Sequence, residues 1–133
     1  MTIDISAFSF DPDEAARGGA TDFVTFVPSG LAAKSALLEA YRHGLKFPAY
    51  FGGNWDALSD GLRDLSWVSQ RRIVIIHTDL PGLPAEDKRV YLEILAGSVA
   101  AWKPDADHEL AVAFPGSARA AILDVPEKTK ISA

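Results

Sequence analysis

Phe47-Pro48-Ala49-Tyr50-Phe51-Gly52-Gly53-Asn54-Trp55-Asp56-Ala57-Leu58-Ser59-Asp60-Gly61-Leu62 is the stretch around which the chain is organised. It passes from a proline through two adjacent glycines to a helix cap, and then into a helix with two unlike faces. Asn54 suits the N-cap, because its side-chain oxygen can accept from a free backbone N–H one turn on. Asp56 then sits in the first turn, where the helix dipole favours a negative charge. At about 100° per residue, Trp55, Leu58, Leu62 and Leu65 fall on one face. Asp56, Asp60 and Asp64, four apart, form an acidic stripe on the opposite face. Tyr50 and Phe51 stand just before the helix, where a short loop can hold them beside that stripe.

Three carboxylates stacked in this way work against the helix, since like charges one turn apart repel and Asp is a weak helix former. Arg63 is placed to offset some of the repulsion from Asp60 and Asp64. Local rules broken without an evident gain often mark function, although a solvated face of an amphipathic helix would look the same. The two glycines permit positive φ and close approach by another chain. Phosphate capture at this helix start is disfavoured: the Lys and Ser/Thr of a P-loop are missing, and Asp56 would repel an anion.

These residues resemble the signature of the barstar family, the intracellular inhibitors of barnase-type microbial ribonucleases. The resemblance is carried by Phe47, Pro48, Tyr50, Phe51, Gly52, Asn54, Asp56-Ala57-Leu58 and Asp60 at fixed spacing. It implies a small parallel sheet packed with helices, and as partner a basic ribonuclease of extracellular or toxin type. It places Tyr50, Asn54, Trp55, Asp56 and Asp60 at partner-contacting positions, with Asp60 entering the phosphate site and Asp56 beside it. Phe51, Gly53 and Ser59 complete the partner-facing set, and Asp64 extends it beyond the motif. Ser59 stands where the family's namesake carries tryptophan, so one aromatic contact is missing. Glu93 is the only carboxylate in the interior of the Tyr91–Trp102 helix, where the family has a further acidic contact.

The chain has 133 residues, 48% hydrophobic and 23% charged, as suits one soluble domain spanning residues 1–133. Residues 1–20 and 126–133 are expected to be the least ordered. The formal net charge of −5 disfavours nucleic acid and anionic membrane as partners and favours a basic protein. There is no cysteine, which excludes disulfides and thiolate metal sites. Neither a secretory h-region nor an apolar run long enough to span a bilayer is present, so the expected compartment is the cytoplasm. When free, the protein is expected to be monomeric.

Outward from the signature, Ile3, Ile5, Phe8 and Phe10 alternate with polar or small residues, as in an edge strand. Asp11-Pro12-Asp13 and Arg17-Gly18-Gly19 read as turns. Residues 22–27 read as a strand, and Ser29 as the cap of a helix running to about His43, with Ala33, Leu37 and Tyr41 on one face and Leu38 beside them. Gly44 is expected to close it in the left-handed conformation. After the acidic helix residues 65–71 read as a loop or short turn, and the continuous apolar run of residues 72–77 predicts a strand buried on both faces. Pro84 opens a long helix to about Trp102, and residues 109–114 form another buried strand. Residues 120–125 are expected to add a last edge strand. The length beyond the smallest family members lies at both ends and around residues 79–84. Strands alternating with helices predict an α/β fold with parallel crossovers: three main strands and possible extra edge strands.

Other chemistry is poorly supported. His43, His77 and His108 show no metal-ligand spacing, and no cofactor is implied. There is no Gly-x-Ser-x-Gly elbow. Asp56 and Asp60 have the spacing of an acid/base pair, but on a convex helix face they would lack a site that excludes water. The expectation is therefore no enzyme and no catalytic residue. The alternative to nuclease inhibition is a binding module of the same fold with a non-nuclease basic partner.

Overall fold

A computed structural model describes residues 3–18, 21–48 and 51–125. Four parallel strands form one sheet: β1 (Phe8–Ser9), β2 (Asp22–Val27), β3 (Arg72–His77) and β4 (Glu109–Ala113), in the order β1-β4-β3-β2. The helices are α1 (Pro12–Ala15), α2 (Lys34–Gly44), α3 (Trp55–Leu62), α4 (Ala85–Ala101) and α5 (Arg119–Leu123). The expected α/β class and parallel sheet are observed, with β1 as a fourth strand at the edge.

The two faces of the sheet are covered unequally. Ile73, Ile75, Leu110 and Val112 meet Leu37, Leu38 and Tyr41 of α2, Leu58 and Leu62 of α3, and Tyr91, Leu92 and Leu95 of α4 in the main core. On the reverse face Val74, Ile76 and Ala113 pack on Ala15, with Ala16 beside it. Side chains alternate across a strand, so β3 is apolar on both faces because both are covered. At the start of the strands Asp22, Arg72 and Glu109 stand side by side in register. Arg72 bonds Asp22 at 2.6 Å and Glu109 at 3.4 Å, and donates to the Ala15 carbonyl of α1 at 2.9 Å.

Several expected boundaries move. The N-terminal alternation forms a 3-10 turn at Ile5–Ala7, capped by Asp4, and only the two-residue β1. Residues 11–13 begin α1 rather than a turn: Asp11 caps it by accepting from Glu14 N–H, and Pro12 takes the first position. Ser29 does not cap α2, which starts at Lys34 after an uncapped Ala33. The intervening segment is instead tied to the loop before α4, with Gly30 N–H donating to Asp79 and Gly82 N–H to Leu31. Gly44 is the last residue of α2, and the left-handed residue is Lys46 at φ 55°. Gly44 is small for another reason: a Cβ there would stand 2.5 Å from Thr25 Oγ1 on β2. Residues 119–123 form α5, not a strand, consistent with their alanine content and with Ile122 alone reaching the core.

Candidate functional site: the acidic helix and its aromatic lead-in

α3 is built as its sequence requires. Gly53 adopts φ 71°, which a side chain resists, and nothing crowds its missing Cβ, so conformation rather than space calls for glycine there. Asn54 caps the helix, its Oδ1 accepting from Ala57 N–H at 2.7 Å. Leu58 and Leu62 point into the core and are fully buried. The helix ends at Leu62, where the Trp102 indole donates to the Leu62 carbonyl at 2.9 Å. Leu65 then turns the chain at φ 51° and buries its side chain by that turn, not by helical periodicity. Asp64 therefore lies outside the helix, and the expected three-turn stripe reduces to Asp56 and Asp60 on α3, with Asp64 on the turn.

All three carboxylates are exposed. No described residue forms an ion pair or hydrogen bond with Asp56 or Asp60, and Asp64 accepts only from the Ser66 hydroxyl. Arg63 does not offset them as expected. Its Nε donates to Ser59 at 3.3 Å, and its guanidinium lies against α4, where Gly97 leaves room for it. Glu93 is held by Arg89, which also pairs with Glu86.

Trp55 is half-buried and stacks on Tyr91 at 6.0 Å and 29°, with Lys34 Nζ 5.7 Å from its ring. Below it runs a buried polar chain. The Ala113 carbonyl can only accept, so His77 Nδ1 carries the hydrogen at 3.0 Å and Nε2 accepts from the Tyr91 hydroxyl at 2.6 Å. Tyr91 oxygen then accepts from the Tyr41 hydroxyl at 2.6 Å. Burial pushes His77 down to about 3 and raises both phenols. The sequence had no signal for this chain beyond the apolar runs that contain its members.

Of the remaining partner-facing candidates, Phe51 is half-buried with its ring edge-on to Phe47 at 4.5 Å. Ser59 is half-buried. Tyr50 lies outside the described residues. The surface beside Asp60 is not convex, as expected, but concave: Asp60 and Asp64 line a cavity of about 160 Å³ walled by Phe47, Phe51 and Trp67. Asp56 does not line it, so the fold does not gather the candidate acid/base pair into one pocket. Among the described residues no cluster of His, Asp or Glu is arranged to hold a metal ion. No helix among them is long and apolar enough to cross a membrane.

Fold and site together define a small α/β protein that carries helices α2 to α4 on one face of a parallel sheet and displays an acidic helix. The profile of the family described as Barstar (barnase inhibitor) matches residues 21–115, from the start of β2 through β4, and the chain belongs to that family. Its members are inhibitors with ribonucleases as protein partners, not enzymes. β1, α1 and α5 lie outside the matched residues. No curated protein and no solved structure gives a significant match.

Proposed function

We propose that this chain is a cytoplasmic inhibitor of a small basic ribonuclease, and that Asp56 and Asp60 occupy the enzyme's phosphate-binding site. An enzyme that cleaves RNA must hold a phosphate with cationic side chains. Carboxylates fixed at the right spacing can satisfy the same cations while offering no scissile bond. The observation that carries this reading is the pair Asp56 and Asp60: exposed, without a cationic partner among the described residues, and on a helix fixed at both ends. Carboxylates carried on a fixed helix need no backbone ordering on binding, and no intramolecular pair among the described residues has to be broken first. Phe51, Asn54, Trp55 and Ser59 flank the charges along the chain, Tyr50 belongs to the partner-facing set by the family resemblance, and an enzyme surface closing over them excludes water, which strengthens the ion pairs.

The test is inhibition of a panel of barnase-like ribonucleases by the parent chain and by Asp56→Ala/Asp60→Ala. We expect stoichiometric inhibition by the parent and its loss in the double variant. Inhibition that survives the double variant would refute the site. An unaffected panel would direct the search to another basic protein.

A further inference from the structure

Arg63 stands beside the acid pair and bonds neither acid. It closes the C-terminal end of α3 with its backbone still in the helical region. At about 100° per residue it lies about 20° from Asp56 and about 60° from Asp60 around the helix axis. Asp60 precedes it by three residues, the order in which a helical ion pair forms readily. That pair is not made. Arg63 Nε donates to the Ser59 hydroxyl at 3.3 Å, and among the described residues the guanidinium has no carboxylate partner. Its Nη2 sits in a notch on α4: a Cβ on Gly97 would stand 2.8 Å from it. Gly97 lies inside the 17-residue α4, where glycine is the poorest helix former after proline. The residue remains exposed on this seat.

We propose that Arg63 is a specificity-determining residue that takes a carboxylate of the ribonuclease, on the α4 side of the acid pair. The proposal rests on the ribonuclease reading above and adds to it a contact of the opposite charge. Seating Arg63 on Ser59 and Gly97 has two effects. Asp56 and Asp60 keep their full charge for the cations of the phosphate site. The guanidinium, with only its Nε–H used, keeps its terminal N–H groups for an anion, and it is already ordered when that anion arrives. Charge then selects the group it meets. A cation of the enzyme would be repelled, and a neutral apolar group would bring the guanidinium out of water with nothing to pair it. A carboxylate matches its planar fork of donors. A ribonuclease with Asp or Glu at this flank of its phosphate site is therefore favoured over one with Lys or Arg there, and the discrimination comes from repulsion as much as attraction.

Each ribonuclease of the panel that the parent inhibits is titrated with Arg63→Gln, Arg63→Glu, Arg63→Lys and Gly97→Ala, and the urea midpoint of every variant is measured beside its inhibition constant. Arg63→Gln is expected to weaken inhibition roughly fivefold, the upper range for one exposed charge pair, and Arg63→Glu by more. Arg63→Lys should fall between the parent and Arg63→Gln, because it keeps the charge and loses the fork. Gly97→Ala should weaken inhibition several-fold by displacing the guanidinium, while its urea midpoint holds or rises, since alanine is the better helix former. The Asp and Glu residues near the enzyme's phosphate site are then changed singly to Lys. One of these enzyme variants should bind the Arg63→Glu chain more tightly than it binds the parent. Unchanged inhibition by Arg63→Glu, losses that merely follow the urea midpoints, or no enzyme carboxylate whose reversal restores Arg63→Glu would overturn the proposal. The ribonuclease reading would still stand if Asp56→Ala/Asp60→Ala abolishes inhibition of the same enzyme. A panel untouched by the parent would overturn both together.

Discussion

Replacing Tyr91 with phenylalanine removes one oxygen from the middle of a buried chain and strands a group on each side. His77 Nε2 loses its donor and the Tyr41 hydroxyl loses its acceptor, both inside the main core. A stranded buried polar group costs about 1–3 kcal/mol, so two of them, partly relieved by side-chain adjustment, give a loss of roughly 3 kcal/mol. Tyr41→Phe is the internal control. It removes only the terminal donor, Tyr91 continues to donate to His77, and the expected loss is about 1 kcal/mol. In the Tyr91→Phe background the Tyr41 hydroxyl is already unpaired, so removing it there should cost less or even stabilise. The coupling expected is on the order of 1–2 kcal/mol. Urea unfolding of the parent, both single variants and the double variant measures all four terms, with unchanged m-values as the check on two-state behaviour. The phenyl ring remains under Trp55, so α3 keeps its support. A Tyr91→Phe loss no larger than that of Tyr41→Phe, or strict additivity, would refute the directed chain.

His77 predicts acid sensitivity. Its folded value of about 3 lies below the ordinary 6.5, so the unfolded chain takes the proton first. The contribution is intact above the unfolded value and drains as pH falls from there towards the folded value, at up to about 1.4 kcal/mol per pH unit. Urea midpoints taken down this window test it, and a charged His77 imidazole in its middle would refute it. Gly44→Ala should destabilise by about 1–3 kcal/mol despite better helix propensity, because its Cβ meets Thr25 Oγ1. Thermal melts of Gly44→Ala with and without Thr25→Ala should show most of that loss recovered. Asn54→Ala should cost about 1 kcal/mol by removing the α3 cap, read from the urea midpoint. Association with the proposed ribonuclease partner should slow steeply with added salt while dissociation changes little, as stopped-flow would show.

How far the sequence could be read depended on whether a signal was local. The Asn54 cap, the left-handed freedom at Gly53 and the apolar run of β3 are written in neighbouring residues, and each was legible. The end of α3 was legible to within two residues, since the chain from Leu65 reads as a loop, but the way Leu65 reaches the core was not. A wheel that places Leu65 on the buried face assumes that the helix continues, whereas Leu65 reaches the core through a left-handed turn. That error carried Asp64 onto the helix and Arg63 towards the acids, when Arg63 answers instead to the space over Gly97. Gly44 was read as a cap because its packing partner, Thr25, lies on a strand far back in the chain. α1 was hidden behind a Pro and two Asp residues that suit a turn equally well. The cavity at Asp60 depends on how three rings meet across the lead-in and the turn after α3, which no spacing rule encodes.

The Asp22–Arg72–Glu109 rung also bears on how the strands find their alignment. β3 is apolar on both sides, so sliding β2 along it by one residue still buries hydrophobic side chains, and burial alone discriminates weakly between alignments. A charged rung does not tolerate that slide. Phe23 would stand opposite Arg72, and Asp22, whose side chain is only 5% exposed in the native alignment, would lose its cation. The same guanidinium holds a carbonyl of α1, so the helix on the reverse face docks properly only when the strands are aligned. Arg72 thus acts as an index mark at one end of an otherwise slippery sheet, disfavouring neighbouring registers.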